Sequence, residues 1–386
     1  MKIIPYGKQF VDTNDINFVL KSLKEDKITT GPYVDKFEKK ISSYLKCNHS
    51  TVCNSGTSAI YLALRAIDLK EKDNIVMPAM NFIASFNVAK LLKANIYFAD
   101  VDKNTGQITP NSIIDCCKKN KLKKLKAVIV MYNGGYPQNN EKFLYLKKKY
   151  NCFIIEDACH AFGASYKLKN KTFKIGSCRH SDICTFSLHP LKTITTGEGG
   201  ITTTNSSLLN KKIKMIRSHG IVKSKFHWKY DVVENGLNLR LTDFQCALGI
   251  SQLNKISKFI KKRKKIAKIY DNYLSNLKDI SVLDKEKNKF SSYHLYIIHL
   301  IENKDLKNKF IKYMLKKKIV VQYHYIPINQ FKVLKKKLNL IGTQKYYESA
   351  VSLPIYYDLS FKKQMYIIQS IFKFFKKKFK KKNLKI

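Results

Sequence analysis

An alternation of short apolar runs with amphipathic stretches is the feature that most limits what this chain of 386 residues can fold into. Helical patterns lie between several of the runs, at about residues 57–68, 82–93, 110–119 and 139–149. The runs themselves are Ser50–Cys53, Asn74–Met77, Asn95–Ala99, Lys126–Met131, Cys152–Ile155 and Asp182–Phe186. Strands that alternate with helices are typical of βαβ units, so the pattern predicts an α/β fold with a mostly parallel sheet. Such sheets bind ligands at the carboxyl ends of their strands.

The segments before this region belong to the same large unit, whereas the segment after it predicts a second, smaller unit. Helical patterns at residues 14–25 and 34–45 come before the alternation, and a polar loop at residues 220–240 follows it. One long helix is then predicted from Thr242 to about Leu274. After residue 276 the pattern indicates an α+β unit, with strands at 293–300 and 319–325 and helices at 304–317, 343–350 and 360–375. We expect a large domain at residues 1–250 and a small C-terminal α+β domain at residues 251–386.

The net charge of +45 at pH 7 raises the question of a nucleic-acid partner. Only five of the 73 basic residues are arginine, whereas proteins that read phosphates and base edges rely on the planar guanidinium. The lysines are also spread along the whole chain, as the codon usage of an A/T-rich genome would produce. We therefore predict no nucleic-acid partner.

Apolar patterning and cysteine usage indicate a cytoplasmic protein without a membrane partner. No run approaches the ~20 apolar residues of a membrane span. The start, MKIIPYGKQF, lacks the apolar core of a signal peptide, and nine cysteines without a CxxC pair suit a reducing compartment without a metal site. The final stretch, FKFFKKKFKKKNLKI, is open to two interpretations. It is either a membrane-surface helix or, as we favour, the frayed end of a last helix whose phenylalanines pack on the small domain.

Chemistry-bearing residues first occur in the segment CFIIEDACHAFGA. An apolar strand there ends in Glu156-Asp157, and a carboxylate at this position reaches the ligand crevice. It is either a helix cap, a member of a buried salt bridge or the partner of a cationic ring nitrogen. His160, three residues later, is either a packed core histidine or a second ligand contact.

The segment TFSLHPLKTITTGEGGITT contains an unusual lysine. Most lysines of this chain must be solvated surface charges, but Lys192 has apolar, hydroxylic or glycine neighbours over a dozen residues. A lysine in such surroundings is a candidate for a lowered pKa and therefore for Schiff-base chemistry.

The segment TVCNSGTSA leads from a short strand into an apolar helix. Its small hydroxylic residues at a helix N-terminus form either an anion cradle or a simple N-cap. The chain has no GxxxxGK[ST] loop and no GxGxxG after a strand, which disfavours ATP and NAD. A phosphate cradle, a strand-end aspartate and an isolated lysine together indicate pyridoxal 5'-phosphate. The aspartate would keep the pyridine nitrogen protonated, and the lysine would form the Schiff base.

The segments EDACHAFGA, FSLHPLKTITTGEGG and GLNLRLTDFQCALG resemble the sugar aminotransferases of the DegT/DnrJ/EryC1/StrS family. The resemblance runs from Ile4 to at least Pro354 and implies the aspartate-aminotransferase-like fold type I of pyridoxal-phosphate-dependent transferases. It implies Lys192 as the catalytic Schiff-base lysine rather than the histidine of related dehydratases, so transamination is favoured. The other implied cofactor-binding residues are Gly56, Thr57, Phe82, Asp157, His160, Ser187 and Asn238.

Each implied cofactor contact has a specific place. Gly56, Thr57 and Ser187 would bind the phosphate, Phe82 would stack on the ring and His160 would lie beside it. The residue that matches Asn238 reaches the neighbouring subunit's cofactor in this family. The resemblance therefore implies a homodimer whose active sites are shared between the subunits.

Within the family, the segments IPYGKQ, DKITTGP, RSHGIVK, SSYHLYII and VQYHYIP most resemble the branch that aminates UDP-sugars for pseudaminic acid. L-Glutamate would be the donor, and C4 of a UDP-4-keto-6-deoxy-N-acetylhexosamine the acceptor. The residues implied to bind this nucleotide sugar are Tyr6, Lys27, Ile28, Thr29, Thr30, Tyr323, His324, Tyr325 and Ile326.

Two positions depart from that branch. Gly56 stands where alanine is common, and Ile326 stands where lysine is common. A lysine at position 326 could meet nucleotide phosphates, so 3- or 4-aminotransferases of other GDP-, dTDP- or UDP-linked sugars remain alternatives. A cofactor-binding regulator on the same fold is a further class, which the chain disfavours because it lacks the DNA-binding domain fused to such regulators.

Overall fold

The computed structural model describes residues 2–226, 228–301, 304–334 and 338–379. The α-helices of the first two-thirds are α1 (Thr13–Ser22), α2 (Pro32–Leu45), α3 (Gly56–Ala66), α4 (Ala84–Leu91), α5 (Pro110–Lys119), α6 (Phe143–Tyr150), α7 (Ser207–Arg217) and α8 (Asp243–Asn254). The later α-helices are α9 (Ile256–Leu274), α10 (Lys304–Lys316), α11 (Ile341–Ser349) and α12 (Phe361–Phe374). Short 3-10 turns lie at Asn133–Gly135 and Ile328–Gln330.

The strands of the central sheet follow the predicted alternation, and further strands lie outside it. Those of the central sheet are β1 (His49–Cys53), β2 (Asn74–Pro78), β3 (Asn95–Ala99), β4 (Ala127–Met131), β5 (Phe153–Asp157), β8 (Ile183–Ser187) and β9 (Gly200–Thr204). The others are β6 (Ser165–Leu168), β7 (Lys171–Lys174), β10 (Ile221–Lys223), β11 (Tyr230–Val232), β12 (Ile280–Val282), β13 (Lys289–Phe290), β14 (Tyr296–Leu300) and β15 (Ala350–Leu353).

Strand direction in the central sheet decides where the polar strand ends meet. Among the described residues, seven strands form this sheet in the order β1-β9-β8-β5-β4-β2-β3. The pairs from β3 to β8 are parallel, and β9 is antiparallel to both β8 and β1. Strand β1 therefore runs in the same direction as β8. The carboxyl ends of β1, β5 and β8 lie at one edge of the sheet, as the pattern of strands and helices predicts.

Side chains of the buried strands alternate between two apolar clusters. Val128 and Val130 of β4 belong to one cluster, together with residues of α2, α5 and α8. Ala127 and Ile129 belong to the other, with residues of α3, α4 and α7. Because successive strand residues point to opposite faces, these fully apolar strands need helices on both sides.

The predicted helix from Thr242 to Leu274 is wrong in one respect, because it is divided at Lys255. That residue has φ −99° and ψ −3° and separates α8 from α9. Its ammonium group donates to Asp12 at 2.8 Å and to Asp15 at 2.6 Å, both at the start of α1. Helix α8 thus packs against α1 and α2. Helix α9 continues from the first apolar cluster, which includes Phe259, to a third one.

The third cluster lies around the sheet β12-β14-β15. It consists of Ile4 and of buried apolar side chains between Ile266 and Ile371. The predicted strand at 319–325 is wrong as a regular element. Ile319 makes a single bridge to Ile4, and Gln322 makes a single bridge to Ser352. The segment changes its pairing partner within three residues, so no continuous ladder forms. The domain boundary near residue 250 stays a prediction.

The end of the chain packs as we favoured, as far as residue 379. Phe372, Phe374, Phe375 and Phe379 contact the third cluster, and the rings of Tyr273 and Phe379 stack with centroids 5.6 Å apart. Residues 380–386 lie outside the described residues. Across the ranges described above, every helix is too short or too polar to cross a bilayer.

Candidate active site

A cavity of about 420 Å³ opens at the carboxyl edge of the central sheet. Met131, Asp157 and Ser187, the last residues of β4, β5 and β8, all line it. Met131 pairs with Asp157 in the parallel register, and Asp157 pairs with Thr185. The predicted residues that line this cavity are Tyr6, Gly56, Thr57, Phe82, Asp157, His160, Ser187, Lys192, His324 and Tyr325.

Asp157 is the acidic group at the floor of the cavity. Its side chain is 4% exposed, and its Oδ2 accepts hydrogen bonds from Asn81 Nδ2 at 3.1 Å and from Ser85 Oγ at 2.9 Å. The Cys159 N–H lies 3.4 Å from Oδ1. Asn81 precedes α4 and Ser85 lies in the first turn of α4, and neither was found from the sequence. Their two donors hold the carboxylate in one orientation.

Glu156, the other carboxylate of this strand end, points to the opposite face. It accepts a hydrogen bond from the Tyr132 hydroxyl at 2.6 Å, and Asn140 Nδ2 donates to that hydroxyl at 2.6 Å. Burial raises the pKa of Glu156, whereas its hydrogen bonds oppose the shift. Of the two carboxylates, Asp157 is therefore the one available to a ligand.

Lys192 lies in the loop between β8 and β9, whose backbone is held closed. Leu188 N donates to Gly199 O at 2.8 Å, and Thr196 N donates to Leu188 O at 3.1 Å. Burial lowers the pKa of the Lys192 ammonium from its usual 10.5, and Cys159 and Asp157 partly oppose this shift. A larger fraction of this amine is thus uncharged near neutral pH than for a surface lysine, which favours nucleophilic attack on a carbonyl group.

The N-terminus of α3 faces Ser187 across a very narrow gap. Ser55 caps the helix by accepting the Ser58 N–H at 3.0 Å, so the segment is an N-cap, and its role as an anion cradle stays a prediction. A Cβ atom on Gly56 would lie 2.8 Å from Ser187 Cβ. The free N–H groups of the first turn and the Ser187 hydroxyl can therefore approach an anion closely.

His160 is buried beside this floor. Its Nδ1 lies 3.4 Å from the Gly134 N–H, and its Nε2 lies 2.7 Å from the Tyr325 hydroxyl. Its pKa is well below 6.5 because of burial first, and then because of Lys192 and His324. The ring is therefore neutral at physiological pH.

His324 and Tyr325, which follow Gln322, form another wall of the cavity. Burial and the nearby Lys192 lower the pKa of His324 to about 3, and its Nδ1 lies 3.0 Å from Ser352 Oγ. The Tyr6 ring contacts the His324 ring with centroids 5.5 Å apart. Phe82, which is 55% exposed, tilts against Tyr325 at 5.7 Å and forms the open side of the cavity.

Several predicted residues lie elsewhere in the single chain. Lys27, Ile28, Thr29 and Thr30 are exposed and adjoin the start of α8, where Asp243 N donates to Ile28 O at 3.0 Å. Tyr323 packs against Tyr347. Ile326 is partly buried, and Asn238 is exposed. The roles of these residues stay predictions.

The cavity also contains side chains that the sequence did not single out. These are Asn81, Cys159, His189, Glu198 and His294, with Ile60, Ala84, Met131 and Leu191. His294 is the most distant of them along the chain from the strand ends. A polar residue flanked by apolar ones in SSYHLYII was the available signal, but it is equally typical of a strand.

Comparison with known proteins identifies the family. Residues 9–372 match the DegT/DnrJ/EryC1/StrS aminotransferase family. The chain belongs to this family. It is an aminotransferase, as predicted, and the α/β fold expected from the resemblance is confirmed.

Among curated proteins, the chain is similar to the UDP-4-amino-4,6-dideoxy-N-acetyl-beta-L-altrosamine transaminase of Campylobacter jejuni subsp. jejuni. The two are 37% identical over 97% of this chain and 98% of the relative. Among solved structures, it is similar to Helicobacter pylori PseC, an aminotransferase involved in the biosynthesis of pseudoaminic acid. That likeness has a TM-score of 0.89 and 30% identity, and covers 97% of this chain and 100% of the other.

A third likeness bears on the cofactor. The putative sugar aminotransferase Spr1654 of Streptococcus pneumoniae has been solved in a PLP form and a PMP form. That protein is 25% identical to this chain, with a TM-score of 0.88. The likeness covers 96% of this chain and 98% of the other.

The residues present in the cavity fit this cofactor. Gly56 leaves a cradle that a Cβ atom would fill, Asp157 presents a buried carboxylate, and Lys192 presents an amine with a lowered pKa. A phosphate, a ring nitrogen and an aldehyde thus each have a group of matching chemistry.

Proposed function

We propose that this aminotransferase uses pyridoxal 5'-phosphate to move an amino group from L-glutamate to C4 of a UDP-4-keto-6-deoxy-N-acetylhexosamine. The product would serve the synthesis of pseudaminic acid. The observation that carries the proposal is the convergence of Lys192, Asp157 and the Gly56–Ser187 cradle on one cavity beside Tyr6 and Tyr325. The Campylobacter and Helicobacter likenesses support the choice of sugar.

When bound, the cofactor supplies an electron sink for the negative charge that develops on the substrate carbon. Asp157, held by Asn81 and Ser85, would accept a hydrogen bond from the ring nitrogen and favour its protonated form. The first turn of α3 and Ser187 would bind the phosphate. Phe82 would cover one side of the ring.

Lys192 has the second task of moving protons. Its Nζ would take a proton from Cα of glutamate and, in the second half of the reaction, deliver a proton to C4 of the sugar. Because burial lowers its pKa, the Lys192 amine can act as a base near neutral pH and as an acid once it is protonated.

Reduction with borohydride tests the assignment of Lys192. We expect peptide mapping after reduction in the presence of the cofactor to find the label on Lys192, and Lys192→Ala to lose label and turnover. Lys307 is the matched control, because it is buried outside this cavity and its pKa is lowered to about 8. Label on Lys307 or on another lysine would contradict the assignment.

A substrate panel tests the choice of sugar. The enzyme loaded with amino groups from glutamate is offered UDP-, GDP- and dTDP-linked keto-hexoses with the keto group at C3 or C4. We expect the UDP-4-keto-6-deoxy-N-acetylhexosamine to give the highest kcat/KM. Preference for a GDP- or dTDP-linked sugar would replace this substrate with an alternative of the same family. Transfer to none of them, with glutamate still converted, would refute the proposed acceptor class.

We further propose a homodimer with shared active sites. The hairpin β10–β11 presents an exposed apolar surface next to Asn238, and a patch of this kind marks an interaction site. Its exposed residues are Val222, Phe226, Trp228, Tyr230 and Val232. Among the described residues, the Asn238 side chain makes one long hydrogen bond, in which Oδ1 accepts the Arg240 N–H at 3.4 Å. These observations suit a side chain that completes the partner's phosphate site.

Complementation between two defective variants tests the shared site. In a mixed dimer of Lys192→Ala and Asn238→Ala subunits, one site has both defects and the other has neither. Random mixing in equal amounts should therefore restore about a quarter of the wild-type sites. Activity that stays at the level of the parents, with subunit exchange confirmed by mass spectrometry, would refute the shared site.

We place this reaction in the cytoplasm. All nine cysteines are free thiols, which suits a reducing compartment.

The charge of +45 has one further consequence, because a positive field speeds the capture of an anionic nucleotide sugar.

A further inference from the structure

Two histidine rings lie against each other at the wall of the cavity. The ring centroids of His160 and His294 are 4.2 Å apart, and the planes are inclined by 37°. Both side chains are at least nine-tenths buried, and both residues line the cavity. His160 follows β5 of the central sheet, whereas His294 lies between β13 and β14. The two are brought together only by the fold.

The in-plane contacts of His160 define its tautomer. The Gly134 N–H can only donate, so Nδ1 of His160 must accept and carries no proton. The proton of the neutral ring is then on Nε2, which donates to the Tyr325 oxygen at 2.7 Å. Lys192 and His324 face the same ring, and Asp157 lies three residues earlier on its own strand end. Burial first, and then the amine of Lys192, make a positive charge on the His160 ring unfavourable.

His294 contacts His160 through its ring face. Its Nδ1 is buried and has no hydrogen-bond partner among the described residues. The backbone of His294 is instead held firmly, since the buried Arg263 donates to Tyr293 O at 3.0 Å, to His294 O at 3.3 Å and to Ile355 O at 3.0 Å. Ser292 Oγ also donates to His160 O at 2.8 Å. The segment is thus built to keep the His294 ring on His160.

We propose that His294 is a positioning residue of the active site, whose ring closes one face of His160 to water and thereby preserves the two in-plane contacts that keep His160 in the Nε2–H tautomer. The proposal rests on the proposed function, because it gives His160 its place beside the cofactor. The flat shape of the His294 ring covers His160, and hydrogen bonding by the His294 nitrogen atoms plays no part in this. A flat apolar ring at position 294 should therefore serve equally well.

The first test is NMR of histidine-labelled protein without added cofactor, with the His160 signals assigned by their loss in His160→Gln. In the wild type and in His294→Phe, we expect one neutral Nε2–H tautomer across the range around the usual histidine pKa of about 6.5. In His294→Ala, water reaches the ring face, and we expect tautomer exchange and titration of His160 within that range. Unchanged His160 signals in folded His294→Ala would overturn the proposal. Should His294→Ala not fold, His294→Val replaces it, because its smaller side chain still leaves part of the His160 ring face open to water.

The matched control is His299→Ala. His299 is also buried, but it hydrogen-bonds to Ser349 at 2.9 Å and to Asn104 O at 2.8 Å. We expect this variant to lose stability and to leave the His160 signals unchanged. A change in those signals equal to that of His294→Ala would mean that general loosening causes the effect, which would overturn the positioning role.

The second readout is the half-reaction with glutamate. We expect His294→Ala to be slower by about tenfold or more, because small misplacements of a positioned group are costly, and His294→Phe to be near the wild-type rate. If His294→Phe is as slow as His294→Ala, a ring nitrogen acts and the proposal is wrong. If wild-type protein converts no glutamate while the NMR results are as expected, the proposed function fails and the positioning of His160 stands.

Discussion

Replacing Asp157 by asparagine separates the charge of this residue from its shape. Asn81 and Ser85 both donate to Oδ2, so the amide oxygen of Asp157→Asn must occupy that position. The amide nitrogen is then forced into the position of Oδ1, where the Cys159 N–H lies 3.4 Å away in the wild type. The variant therefore presents an N–H group where the ring nitrogen of the cofactor needs an acceptor.

The size of the effect follows from the charge that is removed. A carboxylate next to a titratable group changes that group's pKa by about 1 to 3. Each pKa unit corresponds to about 1.4 kcal/mol, so the loss of proton affinity is about 1.4 to 4 kcal/mol, or roughly 10- to 1000-fold in rate. The amide N–H of Asp157→Asn at the Oδ1 position also faces the N–H of a protonated ring nitrogen, which lowers the rate further. We therefore expect the half-reaction with glutamate to be slower by up to about 1000-fold, the upper end of this range.

Single-turnover absorbance measurements with glutamate give the rate, and urea unfolding gives the stability. Ser85→Ala is the matched control, because it removes one donor to Oδ2 and keeps the carboxylate. We expect it to lower stability by about 1.5–3 kcal/mol, the usual value for a hydrogen bond to a charged group, and to slow the half-reaction far less than Asp157→Asn does, because Asn81 still donates to Oδ2. A folded Asp157→Asn variant with a near-normal half-reaction would refute the assigned role of the carboxylate.

Three further predictions concern stability, measured as urea midpoints without added cofactor. Because the pKa of His324 is about 3 in the fold and 6.5 when unfolded, the unfolded chain binds an additional proton between these values. Stability should therefore fall by up to about 5 kcal/mol as pH drops through this range, and less steeply in His324→Gln; equal slopes would contradict this. Lys192→Met should be more stable than the wild type near pH 7, since it removes a buried amine whose pKa is lowered, and this gain should shrink toward pH 10.5; a loss at both pH values would count against it. In Gly249→Ala the new Cβ would lie 2.4 Å from Phe37 Cζ. We expect a net loss of stability, because overpacking costs about 1–3 kcal/mol and alanine's higher helix propensity returns at most about 1 kcal/mol. An unchanged or higher midpoint would show that Phe37 moves aside freely.

The sequence by itself determined the central sheet and the chemistry at its edge. The period of apolar residues is a local property, and buried parallel strands need helices on both faces, so the alternation predicted β2, β3, β4, β5 and β8 correctly. Residues at the carboxyl ends of such strands must share one edge. Asp157 and Ser187 could therefore be assigned to one cavity from the sequence alone. Lys192 stood out because its neighbours in the sequence are apolar, hydroxylic or glycine, unlike those of most lysines of this chain.

Where an element ends was decided by distant partners. The division between α8 and α9 lies at Lys255, whose partners Asp12 and Asp15 are some 240 residues away. The segment 319–325 has a strand-like composition, but it pairs first with Ile4 and then with Ser352. Such pairings have no signal in a local window, because they depend on which segments meet in space.

The groups that orient the active-site residues were decided only by the tertiary structure. Asn81 and Ser85 hold Asp157 from more than 70 residues away, and His294 reaches His160 from the far side of the chain. Their residue types are common in turns and strands, so only their positions give them a role. Whether Glu156 or Asp157 faced the ligand was likewise decided by packing, because neighbouring strand residues point to opposite faces. Local periodicity specifies which elements form, whereas the contacts between elements specify which side chains meet.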